Sequence, residues 1–314
     1  MKLLNLNFNL KTPRAPPSER AARLDFFALA KQERARRREA AAAAAAGPAA
    51  GVGAAPLASA GGGGSAPPDS QPDSQVAPPP CAELLLPAPL SAYRVSPPAL
   101  DGVAYVPDAV SASDGPALLR AIDAAPSERW VELRGRRLQQ WGGTPLPGGM
   151  LGGAEPLPPY LAVLAAALVE RGVFPPHLPP NHALINDYAA GEGIAPHTDG
   201  PRYHPCVATL SLGDAAPMRF SALHCRDAAA ALGFAGGQAA GELLLRDRSL
   251  VVTWGTLYTD FAHAIPQGCG QVLGALLWNG AAAGAAAGEG VPREGRRVSI
   301  TLRHAFTAPQ GAAD

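Results

Sequence analysis

Polar and apolar residues alternate strictly near the end of the chain, which predicts a strand with one buried face. From Arg297 to Arg303 the odd positions are Arg, Ser, Thr and Arg, whereas the even positions are Val, Ile and Leu. Successive side chains of a strand point to opposite faces of a sheet. One face therefore packs on a core, and the other presents two guanidiniums and two hydroxyls. Taken alone, this pattern also fits an outer strand with solvated arginines.

Short strands are predicted throughout the chain from Ala183 onward. Runs of four to six residues alternate there with Gly, Pro and Asp turns, which is typical of a β-sandwich or barrel. The predicted strands are Ala183–Tyr188, Ile194–Thr198, Val207–Leu212, Met218–Ser221, Glu242–Leu245, Ser249–Trp254, Gly274–Trp278 and Val298–Arg303. An Ala- and Gly-rich surface insertion, Ala281–Gly290, is expected in the last long connection.

Two helices are predicted ahead of these strands. The first carries apolar residues on one face and is capped by Ser111 or Ser113, and the second spans about Tyr160–Glu170. The fold class is therefore α+β, a double-stranded β-helix (jelly roll) with buttressing N-terminal helices. A short strand in Tyr105–Val110 and another at Trp130–Leu133 precede a basic, aromatic segment, Arg134–Gly143, that we expect to be an exposed hairpin or loop.

Composition separates an N-terminal arm from the folded part. Residues 1–85 are predicted to be a disordered, partly helical low-complexity arm and linker, residues 86–308 one domain, and residues 309–314 a disordered tail. A solvated helix is expected from Ser18, followed by a poly-Ala tract and a Gly- and Pro-rich linker.

Charge and cysteine usage limit the classes of function. Residues 1–84 hold ten Lys and Arg against seven Asp and Glu, so the balanced whole, with 26 of each sign, leaves the folded part slightly acidic. Net charge thus gives no support for general nucleic-acid binding. The cysteines show no zinc or disulfide spacing, which suits a reducing compartment; they are Cys81, Cys206, Cys225 and Cys269.

No stretch is long and apolar enough to predict a membrane span, and we expect no secretory signal. We expect a monomer in the nucleus, the cytoplasm or both. The Arg-rich arm leaves import into an organelle open, although its acidic residues count against a transit peptide.

A His-x-Asp pair lies in the predicted strand region. His197 and Asp199 are two residues apart, so in an extended strand their side chains point the same way. One imidazole and one carboxylate supply two parts of the 2-His-1-carboxylate triad that marks non-haem Fe(II) oxygenases. His263 is the candidate third ligand. A single His among apolar residues is usually a core or surface residue. The metal-site prediction therefore depends on the order of the motifs along the chain, with His-x-Asp first, then His263, then the arginine strand.

These residues resemble the AlkB family of Fe(II)/2-oxoglutarate dioxygenases. The motifs that carry the resemblance are Asn186-x-Tyr188, His197-x-Asp199, His263 and Arg297-x5-Arg303. The resemblance covers about Leu90–Arg303, and several runs are typical of one subgroup: Leu138–Gly143, Pro180–His182, Gly191–Pro201, Ser211–Gly213 and Leu257–Thr259.

The resemblance implies the reactants and the metal ligands. Fe(II) would be bound by His197, Asp199 and His263, with 2-oxoglutarate as cosubstrate and O2 as oxidant. Decarboxylation of 2-oxoglutarate to succinate would be coupled to hydroxylation of a C–H bond. On an N-methyl group the hydroxylated product would break down to formaldehyde and the free amine.

The resemblance also implies how the cosubstrate is held. The distal carboxylate of 2-oxoglutarate would lie on Arg297 and Ser299, with the Tyr188 hydroxyl as a further donor. A planar guanidinium suits such bidentate recognition of a carboxylate. Asn186 would lie near the keto-acid end and Arg303 beside Asp199.

A nucleotide lid in this family lies in the segment Arg129–Met150. Trp141 would stack on a base, and phosphates would meet a basic run made of Arg134, Arg136 and Arg137. The other interpretation is an ordinary solvent-facing hairpin with Trp141 in a minor core. Tyr258 is a candidate for the substrate pocket, with core packing as its alternative.

Three functions remain open at this point. The first is oxidative demethylation of N-alkylated nucleobases in RNA or single-stranded DNA. The second keeps the chemistry and changes the target to a protein side chain. The third is a non-catalytic adaptor that binds nucleic acid on the same fold.

Overall fold

The computed structural model describes residues 82–97, 100, 102–143, 150, 155–223, 237 and 239–306. The predicted arm, its helix from Ser18 and the tail from residue 309 lie outside these residues. Within them, no helix is long and apolar enough to cross a membrane.

Strands dominate the described chain, as the sequence predicts. In chain order the elements are β1 (Val103–Val106), α1 (Asp114–Asp123), β2 (Val131–Leu133), β3 (Arg136–Trp141), α2 (Pro159–Glu170), β4 (His182–Tyr188), β5 (Ile194–His197), β6 (Tyr203–Gly213), β7 (Ala216–Ala222), β8 (Ala239–Leu245), β9 (Leu250–Trp254), α3 (Gly255–Asp260), β10 (Phe261–Ile265), β11 (Gly270–Val272), α4 (Gly280–Ala283), β12 (Gly290–Pro292) and β13 (Arg297–Ala305). At α1 the N-cap position is Ser113, but the side-chain hydrogen bond comes from Ser111, whose Oγ accepts from the backbone N–H of Asp114 over 3.1 Å.

Two antiparallel sheets form the predicted jelly roll. The large sheet has the order β1-β9-β6-β13-β4-β3-β2, and the small sheet has the order β5-β10-β7-β8. β13 lies at the centre of the large sheet and pairs with β4 on one side and β6 on the other. The double-stranded β-helix prediction is confirmed, because the chain crosses repeatedly from one sheet to the other.

Helices α1 and α2 cover the outer face of the large sheet, which confirms their buttressing role. The even residues of β13, including Ile300 and Leu302, join this core with Leu118 and Leu161 of the helices. A second core lies between the two sheets and includes Phe220. The odd residues of β13 therefore face the small sheet, as the alternation predicts.

Two local expectations were wrong. The segment Arg134–Gly143 forms the predicted hairpin with β2, but it is not exposed, because β3 pairs with β4 along five residues inside the large sheet. No strand forms over Gly274–Trp278, where one isolated bridge joins Leu277 to Glu242. The Ala- and Gly-rich insertion is a mostly exposed segment, as expected, and it contains α4, which packs beside β8.

An ion-pair network ties the large sheet to α1. The buried carboxylate of Asp187 accepts from Arg137 Nε at 2.8 Å and from Arg296 Nε at 2.8 Å. Arg296 also donates to both carboxylate oxygens of Asp123 at the end of α1. This bidentate contact lowers the pKa of Asp123.

Candidate active site

A cavity opens between the two sheets, and the polar face of β13 forms its floor. The backbone register places Arg297 beside Tyr188, Ser299 beside Asn186, and Arg303 beside His182. Side chains from β3, β4, β6, β9 and both histidine-bearing strands complete the wall. The alternation of β13 thus brings the predicted cosubstrate residues to one surface.

The two candidate histidine ligands are adjacent on neighbouring strands of the small sheet. His197 and His263 are register partners, and their ring centroids are 4.4 Å apart. His197 Nδ1 lies 2.9 Å from the Ala195 carbonyl, which favours the tautomer with its lone pair on Nε2. Burial, together with the neighbouring His263, lowers the pKa of His197 to about 3, and burial also lowers the pKa of His263. Both rings are thus neutral, the form that binds metals.

Asp199 faces the same cavity and contacts Arg303. Arg303 Nη1 donates to Asp199 Oδ1 over 2.5 Å. Burial alone raises the pKa of the Asp199 carboxyl, but Arg303 and the two histidines outweigh it and hold this pKa below its ordinary value. Across the described ranges, no three His, Cys, Asp or Glu side chains are arranged closely enough to hold a metal ion. The carboxylate is turned toward Arg303, so metal binding requires Asp199 to reorient or to share this contact.

Arg297 is a buried cation facing the cavity. Its side chain is 2% exposed, and Nη2 donates to Ser211 Oγ over 3.1 Å. Nε and Nη1 have no hydrogen-bond partner among the described residues. Burial lowers the pKa of Arg297, and Tyr188 beside it offsets part of that effect. A buried guanidinium with two unsatisfied nitrogens fits a carboxylate ligand.

Arg136 is also buried in the cavity wall, at the start of β3. It is 6% exposed, and its Nε donates to Asn186 Oδ1 over 2.9 Å. It lies near enough to His197 to lower the pKa of that imidazole further. This location contradicts the prediction that Arg136 contacts phosphates on an exposed lid.

The other predicted lid residues are placed differently. Arg137 bonds to Asp187 and lies 4.0 Å from the ring centroid of Trp130. Trp141 donates to Gln139 over 3.0 Å, and the Arg129 guanidinium stacks on its ring. These internal contacts favour the minor-core interpretation of Trp141. Arg134 is exposed at the turn between β2 and β3.

Tyr258 lies beside the predicted ligand loop. Its hydroxyl donates to the Gly200 carbonyl over 2.6 Å, directly after Asp199. Burial raises the pKa of this phenol. Tyr258 thus fixes the backbone next to Asp199 and is half-buried.

Sequence reasoning missed His182 as a neighbour of the site. It is fully buried on β4, its ring centroid lies 5.5 Å from that of Tyr203, and its Nδ1 is 3.5 Å from Arg303 Nη2. Burial and Arg303 lower its pKa well below the usual value. The strand register could have indicated this contact, because His182 is the partner of Arg303.

Comparison with known proteins identifies the family. The 2OG-Fe(II) oxygenase superfamily matches residues 149–303. The chain is 38% identical over 202 residues to a protein of Danio rerio named "Probable RNA/DNA demethylase ALKBH6", a match that covers 64% of this chain and 85% of the relative. The chain belongs to the AlkB family of 2OG-Fe(II) oxygenases. The predicted AlkB-family resemblance is thereby confirmed.

Two matched solved structures are more distant in sequence. OsALKBH1 gives a TM-score of 0.41 at 15% identity over 65% of this chain and 99% of that chain. A prolyl-4-hydroxylase of Pseudomonas putida gives a TM-score of 0.39 at 17% identity over 69% of this chain and 99% of that chain.

Membership of this superfamily makes the protein a 2-oxoglutarate-dependent dioxygenase, a class that uses Fe(II), 2-oxoglutarate and O2. The residue types that line the cavity suit these reactants once Asp199 reorients or shares its contact with Arg303. Two neutral imidazoles and a carboxylate suit Fe(II), and the unsatisfied nitrogens of Arg297 suit a keto-acid carboxylate.

Proposed function

We propose that this AlkB-family protein removes methyl groups oxidatively from alkylated bases in RNA or single-stranded DNA. The observation that carries the proposal is one cavity with the His197 and His263 imidazoles beside Asp199 and the buried Arg297 in its floor. The ALKBH6 relative is named as a probable RNA/DNA demethylase, which favours a nucleic-acid substrate over a protein side chain.

The overall reaction balances without any further reactant. Bound Fe(II), 2-oxoglutarate and O2 supply the oxidation: 2-oxoglutarate loses CO2 and becomes succinate, one oxygen atom enters succinate, and the other enters a C–H bond of the N-methyl group. The resulting N-hydroxymethyl group releases formaldehyde, and the nitrogen takes up the hydroxyl proton. One succinate and one formaldehyde therefore form per methyl group removed.

The residues of the chain would bind and orient these reactants. His197, Asp199 and His263 would hold the metal. Arg297, with Ser299 and Tyr188, would bind the distal carboxylate of 2-oxoglutarate through charge-assisted hydrogen bonds. Their placement on paired strands would fix the cosubstrate relative to the two imidazoles, and such preorganisation lowers the cost of reaching the reactive geometry.

Asn186 and Arg303 would complete the cosubstrate end of the site. Asn186 is fixed by its hydrogen bond from Arg136, and it would lie beside the keto-acid end of 2-oxoglutarate. Arg303 would orient Asp199 through their direct contact. Both residues lie on the central strands of the large sheet, so neither depends on a loop for its position.

Product stoichiometry tests the proposal. The full chain is incubated with Fe(II), labelled 2-oxoglutarate and methylated oligonucleotides, with methylated peptides in a parallel arm. We expect equal amounts of succinate and formaldehyde with the oligonucleotides, loss of both in His263→Ala, and retention in His204→Ala, a histidine outside the cavity. Formaldehyde from peptides alone would move the target to protein, and no formaldehyde from either would reject the demethylase proposal.

A further inference from the structure

We infer that His182 is a positioning residue for the candidate metal site: its imidazole accepts a hydrogen bond from the Arg303 guanidinium when Asp199 turns toward a metal ion. The inference rests on the proposed function, because it concerns a side chain behind the proposed metal ligands. His182 does not line the cavity. Its effect on the site is therefore exerted through Arg303 and not by contact with a reactant.

The backbone of His182 is held in place at the start of β4. The preceding residue, Asn181, donates from Nδ2 to the Ala305 carbonyl over 2.9 Å, and its Oδ1 accepts from the Ala305 N–H over 2.7 Å. On the other side lies Gly142, which has a φ of 85°, and a Cβ there would lie 3.0 Å from the Cα of His182. These contacts leave the strand little room to shift, so adjustment in this region falls to the side chains.

Arg303 lies between His182 and Asp199. Its Nη1 donates to Asp199 Oδ1 over 2.5 Å, and its Nη2 is 3.5 Å from His182 Nδ1. Most protein hydrogen bonds from nitrogen are about 2.7–3.2 Å long, so the contact with Asp199 is short and the contact with His182 is long. In the metal-free protein the guanidinium is therefore bound mainly by the carboxylate, with the imidazole as a second acceptor within reach.

The His182 ring is neutral, as an acceptor must be. Burial, together with the charge of Arg303, holds its pKa well below the usual value. A neutral imidazole has one nitrogen with a lone pair and one N–H, whereas a guanidinium offers donors only. The lone pair therefore lies on Nδ1, which faces Arg303, and the hydrogen lies on Nε2.

Three neighbouring side chains in this region have unused hydrogen-bonding atoms. Among the described residues, His182 Nε2, the Tyr203 hydroxyl and Arg303 Nε are buried without a partner. The ring centroids of His182 and Tyr203 are 5.5 Å apart, and Arg303 Cζ lies 4.2 Å from the Tyr203 ring centroid. Buried polar atoms are usually paired. Unpaired atoms grouped beside Asp199 favour a second arrangement of these side chains.

Metal binding would change what Arg303 requires of its neighbours. Asp199 contacts Arg303 in this structure, so a metal ion can bind the carboxylate only if this contact is lost or shared. Loss of the anionic partner of a buried guanidinium is strongly unfavourable and would oppose metal binding. His182 Nδ1 and the face of the Tyr203 ring remain beside the guanidinium, and both interactions offset part of this cost.

A double-mutant cycle on Mn(II) affinity tests the inference. Binding is followed by electron paramagnetic resonance without 2-oxoglutarate, because the keto acid would offer Arg303 another acceptor. His182→Leu should weaken binding by about tenfold, whereas His182→Asn, which keeps an acceptor near the Nδ1 position, should retain most of the affinity. In the Arg303→Met background, His182→Leu should change the affinity by less than about twofold. His204→Leu, a histidine outside the cavity, should leave it unaltered.

Two outcomes of this cycle would overturn the inference. Equal Mn(II) affinity in wild type and His182→Leu would show that the imidazole does not assist metal binding. An equal loss with and without Arg303 would show that His182 acts through packing alone.

Nitrogen NMR of the wild type gives a second readout that does not require the Leu variant. Zn(II), a diamagnetic ion, is added to protein with isotopically labelled histidines, and His182→Asn assigns the His182 signals. We expect the Nδ1 resonance to move upfield, as for an imidazole nitrogen that accepts a stronger hydrogen bond, together with shifts at His197 and His263. Shifts at His197 and His263 alone would overturn the inference, and no shift at any of the three would reject the metal site itself. Formaldehyde release, which tests the demethylase proposal, is a separate measurement.

Discussion

Arg303 donates from Nη1 to Asp199 Oδ1 at 2.5 Å, and both side chains are almost completely buried. The pair joins the centre of the large sheet to the loop after β5, so it links the two sheets beside the candidate metal ligands. Arg303 also lies over the ring of Tyr203 at 4.2 Å. Because Arg303 pairs with it, the Asp199 carboxylate is ionised in the metal-free protein.

Removal of Arg303 should make stability depend more strongly on metal. Arg303→Met leaves the buried Asp199 carboxylate without its cation, so we expect the metal-free protein to lose about 3 kcal/mol of unfolding free energy. Mn(II) would replace the missing charge, and should therefore raise the melting temperature of the variant more than that of wild type. An equal or smaller rise in the variant, measured by calorimetry, would contradict this role of Asp199.

Arg297→Gln should separate cosubstrate binding from stability. The variant loses charge-assisted hydrogen bonds to the carboxylate, so the Kd for 2-oxoglutarate should rise about 100-fold in calorimetric titration. Without cosubstrate the variant should be about 1 kcal/mol more stable, because a buried and incompletely paired charge has been removed. A large loss of stability with unchanged Kd would show that Arg297 is a structural residue.

Arg296, which precedes Arg297 in the chain, should contribute to stability and not to cosubstrate binding. Arg296→Met breaks contacts with Asp123 and the buried Asp187, so we expect a loss of about 2 kcal/mol in urea unfolding at pH 7. The Kd for 2-oxoglutarate should stay the same, and Arg120→Met should leave both quantities unchanged. Identical unfolding midpoints for Arg296→Met and wild type would show that the network adds nothing to stability.

The ion pair between Arg296 and Asp123 also predicts that the stability of the fold depends on pH. The pKa of Asp123 is lowered in the folded protein, so its contribution is present above the ordinary value of about 3.9 and is lost as the pH falls through the lower folded value. The stability difference between wild type and Asp123→Asn should therefore shrink below about pH 4. A difference that persists unchanged at pH 2.5 would contradict the assignment.

Substitution of Gly241 tests whether the packing of Trp278 and Phe220 holds His263 in position. A Cβ at Gly241 would lie 1.9 Å from Trp278 Cε2, and Trp278 stacks on Phe220 at 5.4 Å. The Phe220 ring lies 6.5 Å from that of His263. Gly241→Ala should cost about 2 kcal/mol through overpacking and weaken Mn(II) binding. Gly270→Ala, where no atom lies within 4 Å, is the matched control; equal melting temperatures for the two variants would contradict the packing argument.

The sequence predicts the floor of the site well because β13 follows a strict period of two. Its even residues pack on helices and its odd residues face the cavity, so alternation alone separates Val298 and Ile300 from Arg297 and Ser299. The His197 and His263 pairing could not be read from spacing, since the 65 intervening positions do not indicate which strands of a sheet are neighbours. The family resemblance supplied that contact.

Other features depend on tertiary context that a sequence does not contain. The run that includes Arg136 and Arg137 suggests a solvated loop, yet one side chain is buried against Asn186 and the other bonds to Asp187. Trp278 suggests a strand, but it stacks on Phe220 from a connecting segment. The burial of these arginines and the stacking of Trp278 depend on partners that are distant in the sequence, so local propensity could predict neither.

Metal titration tests the central claim that His197, Asp199 and His263 bind one ion. Mn(II) binding is followed by electron paramagnetic resonance in the wild type, His263→Ala and His204→Ala. We expect one equivalent in wild type and in His204→Ala. His263→Ala should weaken binding by more than about 100-fold, because loss of a mere supporting contact already costs about 10- to 100-fold. Unchanged affinity in His263→Ala, or no binding in wild type, would contradict the account.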